Sequence, residues 1–163
     1  MKNRLVRKAV FETNSSSAHS LTINDGRRSL HVYQTLKPNK KGVVVVDCGG
    51  YNFCRQKPRR TNDALEKLAF FATLSNYIGW FDDFKEEIVP LIIEKNNVKS
   101  VEFINVGESP IEFTSDFDIP STPKQMYLAI FDKNSWLGLI GDEYWFETEK
   151  EEKEFFNPPL ITK

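Results

Sequence analysis

Hydrophobic spacing in this chain changes period near residue 61, and that change limits the folds open to it. Before it, apolar residues alternate or cluster in short stretches: Val6 to Phe11, Ser20 to Ile23, Ser29 to Thr35, and Val43-Val44-Val45-Val46. Period two and β-branching point to strands. The valine run is apolar on both faces, which predicts a central strand. After it, Leu65, Leu68, Ala69, Ala72 and Tyr77 recur at helical spacing behind Thr61-Asn62-Asp63. Thr or Asn can cap such a helix, and Asp63 and Glu66 suit its positive end. A second helix is expected over residues 83–96, with Phe84, Ile88, Leu91 and Ile92 on its apolar side. Pro90 would kink or break it.

Strand patterns then return. Lys99 to Val106 alternates, and Met126 to Phe131 with Ser135 to Ile140 read as a hairpin across Asp132-Lys133-Asn134. Tyr144-Trp145-Phe146 is a further short strand, and Glu147 to Glu154 an acidic run suited to a terminal helix. The order β, α, α, β predicts an α+β fold: a mostly antiparallel sheet with two consecutive helices packed on one face. A length of 163 residues fits one domain over 1–157, followed by an extended tail over 158–163 at Pro158-Pro159.

Thirteen Phe supply a core, and no apolar run nears the ~20 residues of a membrane span. The basic N-terminus lacks the apolar stretch of a signal peptide. These features predict a cytosolic protein that does not bind membranes. Cys48 and Cys54 are too few for a disulfide scaffold. A Cys2His2 zinc set would need both cysteines with His19 and His31, the only histidines, at a loose Cys-x5-Cys spacing. No metal or cofactor is expected.

The formal net charge of −1 hides a split. Residues 1–60 hold thirteen Lys or Arg against three Asp or Glu, whereas residues 61–163 hold nine against twenty. The basic half could face a phosphate-bearing partner, or the halves could attract each other within one domain.

Thr13-Asn14-Ser15-Ser16-Ser17-Ala18-His19-Ser20 lies inside the basic half. Hydroxyls, turned-in amides and guanidinium groups can together hold an anion. The expected pocket uses Asn14, Ser15 and Ser16 for hydrogen bonds, with Arg4 and Arg7 for charge. Ser17 and His19 would share a side of an extended strand, so a serine nucleophile with a histidine base is a further reading. Asp25 and Asp47 are candidates to orient that imidazole. A turn whose side chains bond their own backbone has the same composition.

Arg55, Lys57, Arg59 and Arg60 follow Tyr51 and Phe53. Interleaved aromatics and cations can bind a nucleic acid strand by stacking and phosphate contact, although a solvated basic loop looks alike. Asp82, Asp83, Glu86, Glu87 and the run from Glu147 to Glu154 give an acidic surface. It is either a solvated face or a mimic of nucleic acid that binds a host protein.

The string from Val10 to Ile23, VFETNSSSAHSLTI, resembles the N-terminal signature of a group of uncharacterised bacteriophage and Firmicutes proteins. The stretch 127–146 also resembles a Phe-Asp/Asn-x-x-Ser hairpin near the end of such proteins, here Phe131, Asp132 and Ser135. The resemblance implies a phage or prophage setting with an accessory or host-takeover role, hence the host cytoplasm. The expected function is a phage-related accessory protein that binds a nucleotide or nucleic acid. The alternatives are an inhibitor or adaptor of a host defence protein, and a Ser-His hydrolase or transferase.

Overall fold

Six strands and four helices are seen in the computed structural model, which describes residues 4–8, 17–24, 31–53, 59–111, 119–141, 146–157 and 159–162. The strands are β1 (Arg4–Lys8), β2 (Ser17–Asn24), β3 (Val43–Asp47), β4 (Arg59–Thr61), β5 (Ser100–Ile104) and β6 (Trp136–Gly141). The helices are α1 (Ala64–Tyr77), α2 (Phe81–Asn96), α3 (Pro123–Phe131) and α4 (Glu149–Phe156). The fold is α+β, as expected. The single sheet expected is two: an antiparallel one in the order β1-β2-β6-β4, and a parallel pair β3-β5.

The two consecutive helices pack on each other, α1 also meeting β3 and α2 meeting β5. Asp63 caps α1 by accepting the Glu66 amide. Pro90 lies inside α2, which continues through it to Asn96. One core joins both sheets and the helices, with Phe53, Phe70, Phe71, Phe84 and Phe131 almost fully buried. No helix among the described residues is long and apolar enough to cross a membrane.

Three expectations are corrected. Met126 to Phe131 is not a strand but most of α3, because Thr122 caps it through the Gln125 amide and Pro123 stands at its first turn. Val43 to Val46 is not a central strand buried on both faces. Val44 and Val46 face the core, but Val45 is 42% exposed. β-branching there marks strand propensity, not burial. Residues 31–35 form no strand beyond a bridge from Tyr33 to Asp132. The Val32 amide goes instead to the Asp132 carboxylate. The expected strand over 144–146 falls mostly outside the described residues.

Candidate functional site: one sheet end and a buried turn

Strand register shows where the sequence-predicted residues gather. His19 and Arg59 both stand opposite Leu139, one on each side of β6. Gly138 stands between Ser20 and Arg60, and Ser20 in turn pairs with Lys8. Ser17 pairs with Gly141, so Ser17, His19, Lys8 and Arg59 share one end of the antiparallel sheet. His19 and Arg59 are two strand spacings apart, roughly 10 Å between backbones. Arg7 lies in an inner row with Leu21, Leu137 and Thr61. Arg4 pairs with Asn24 at the opposite end, four residues or roughly 13 Å along β1 from Lys8. Asn14, Ser15 and Ser16 lie outside the described residues, as do Asp25, Cys54, Arg55 and Lys57.

Arg59 and Arg60 are held from within the fold. Arg59 pairs with the Glu66 carboxylate of α1. Arg60 donates to the Glu154 carbonyl of α4, and its guanidinium lies 5.4 Å from the Trp136 ring centre. Of the two aromatics in the nucleic acid reading, Phe53 is closed off and Tyr51 is partly buried. Phe53 is fully buried with its ring edge-on to Phe70, and Tyr51 stacks on Phe53. A ring enclosed by the core has no face for a base. Asp47, considered as a partner for His19, belongs to the other sheet. Asn105 Nδ2 and the Gly49 amide donate to its carboxylate and hold its pKa below the usual range.

A second constellation surrounds the turn Asp132-Lys133-Asn134-Ser135 between α3 and β6. Asp132 is fully buried, and its carboxylate accepts from three donors: His31 Nδ1 at 2.6 Å, the Val32 amide at 3.1 Å and the Asn134 amide at 2.9 Å. Lys67, fully buried on α1, donates Nζ to the carbonyls of Asp132 and Ser135 at 3.0 and 2.7 Å. A lysine ammonium carries three N–H donors, and these two carbonyls are the acceptors for Nζ among the described residues. Burial accordingly pushes the Lys67 pKa down to about 7, although the Asp132 and Asp63 charges oppose the shift. The side-chain amide of Asn134 also bonds both backbone groups of Ile161, and Asn62 Nδ2 donates to the Lys133 carbonyl. His31, at 30% side-chain exposure, is the part of this cluster that reaches the surface.

His31 and Lys67 carried no signal in the sequence that set them apart. Asp132 and Ser135 did carry one, as the Phe-Asp-x-x-Ser pattern, read there as a hairpin turn. Among the described residues no three His, Cys, Asp or Glu side chains form a metal cluster. No protein-family model, curated protein or solved structure matches this chain.

Proposed function

We propose that this is a phage-related accessory protein that binds a phosphate-bearing ligand, a nucleotide or nucleic acid, at the sheet end where Ser17 and His19 enter β2. The observation that carries the reading is the register: a hydroxyl-rich segment runs into β2 at the sheet end where Lys8 stands in one row with Ser20 and Arg60, and His19 in the next row with Arg59. Cations set beside hydroxyls and backbone amides suit phosphate oxygens. The N-terminal resemblance supports the phage setting.

The test is calorimetric titration with ATP and with a short oligo-dT, at low and high salt. His19→Ala with Lys8→Ala should weaken binding at least tenfold with the thermal melt preserved. Arg4→Ala, at the far end of β1, should leave binding intact. Equal affinity in the double variant and the parent would end this reading.

Exposure of α4 favours a second reading, attachment to a host protein through the acidic half. Residues 147–154 are all exposed, while Phe155 anchors the helix to the core. Neutralising the glutamates from Glu147 to Glu154 should abolish host-protein capture and spare nucleotide binding if this reading holds.

A further inference from the structure

Among the described residues, the outer edge of β3 has backbone groups with nothing to bond. In a parallel ladder both main-chain groups of one residue point to one side, and those of the next residue to the other. The Cys48 amide donates to the Ile104 carbonyl at 2.9 Å, so Val44, Val46 and Cys48 turn towards β5. Val43, Val45 and Asp47 therefore turn away from it. Val43 is satisfied locally, its carbonyl by the Asn39 amide at 2.8 Å and its amide by Asn39 Oδ1 at 3.1 Å. Among the described residues, the amide and carbonyl of Val45 have no partner.

Among the described residues, this edge carries little protection beyond Asp47 at its end. Natural edges are protected by lysine, proline or a bulge within the strand. β3 has none: its sequence is four valines and an aspartate, in unbroken register with β5. Beside it lies an open groove of about 290 Å³, walled by Gln34, Leu36, Lys37, Val44, Val45 and Leu65. That volume is just below the ~300–1,000 Å³ of pockets for drug-sized ligands. It suits an apolar side chain carried by a backbone that runs along the edge.

Charge at the entry to β3 selects among peptides, with the exposed Asp47 and Glu102 giving the other end the opposite sign. Lys37 stands on the groove, Lys40 and Lys41 are exposed in the turn that enters β3, and the exposed Lys99 packs against Gly42. Asp63, also on the groove, is occupied in capping α1.

We infer that the outer edge of β3 is a docking site for an extended protein segment, with an apolar residue seated in the groove and flanking carboxylates facing these lysines. The segment adds as a strand, and Val45 supplies the donor and acceptor that fix its register. The inference does not depend on the phosphate reading.

The probe is an acetylated, amidated seven-residue peptide of alternating Glu and Val, followed by fluorescence anisotropy and by amide hydrogen exchange of the full chain. Binding should slow exchange of the Val45 amide at least tenfold. Lys37→Glu with Lys40→Glu and Lys41→Glu should weaken it at least tenfold, and an alternating Lys and Val peptide should not bind. Val45→Pro removes the donor and should abolish binding. If that variant does not fold, N-methylation of the peptide's central valine makes the same test on the parent protein. Failure of the Glu and Val peptide to bind would overturn the inference. So would binding that leaves Val45 exchange unchanged or that survives charge reversal. Protection of Val45 that grows with protein concentration alone would assign the edge to a second copy of the chain instead.

Discussion

A single buried carboxylate, Asp132, joins three segments that are far apart in sequence. Its bond to His31 spans 101 positions, and the bond from Lys67 to its carbonyl spans 65. Replacing Asp132 by Ala strands two backbone amides and an imidazole at once, a loss of about 3–5 kcal/mol. His31→Ala removes the imidazole bond to Asp132 at a partly exposed position and should cost about 1 kcal/mol. Urea unfolding of both variants checks the ranking. Lys67 adds a pH signature. Its proton is held less tightly in the folded chain than in the unfolded one, so the unfolded state binds more protons between about pH 7 and 10.5. Stability should therefore rise with pH across that window, by up to about 1.4 kcal/mol per unit, and fall as the pH returns to 7. Lys67→Met should lower stability but flatten this slope, as urea midpoints at pH 7, 8 and 9 would report. None of these roles was legible in the sequence beyond the Phe-Asp-x-x-Ser pattern, because a turn residue does not reveal which distant donors will reach it.

Elements were legible where local chemistry and tertiary packing agree. Asp63 followed by Glu66 marks the start of α1, and the cap forms there. α3 misled because Tyr127, Ile130 and Phe131 favour strands. The better signal was Thr122-Pro123, a cap followed by a ring whose fixed φ suits the first helical turn. β3 misled differently: four valines in a row predict burial on both faces, yet only one face meets the core. Pro90 was read as a kink or break, and α2 runs on through it with Phe84, Ile88 and Ile92 buried. Pro90 cannot donate to the Glu86 carbonyl one turn back, at an exposed position. Pro90→Ala restores that bond, and the helix should gain about 1–3 kcal/mol, seen as a higher midpoint in thermal unfolding.

Across the whole molecule, the basic and acidic halves of the chain interleave. β6, from the acidic half, lies between β2 and β4 from the basic half, and β3 pairs with β5 across the same divide. The attraction between halves anticipated from composition thus has structural routes, among them Arg59 with Glu66. The first half adds Leu36, Val44, Val46, Cys48 and Phe53 to a core whose other buried residues come from the second half. Residues 1–60 and 61–163 expressed separately should each lack a cooperative melt, and mixing them should restore one. A far-ultraviolet circular dichroism melt of each fragment would decide this.

The bond from Asn134 to Ile161 reaches almost to the last described residue. During translation, a nascent chain threaded out as far as Phe156 already holds His31, Lys67 and Asp132, yet its Asn134 amide still has no Ile161 backbone to bond. Locking of the central turn therefore waits for the segment around Ile161, and a chain cut before that residue would fold with this latch open.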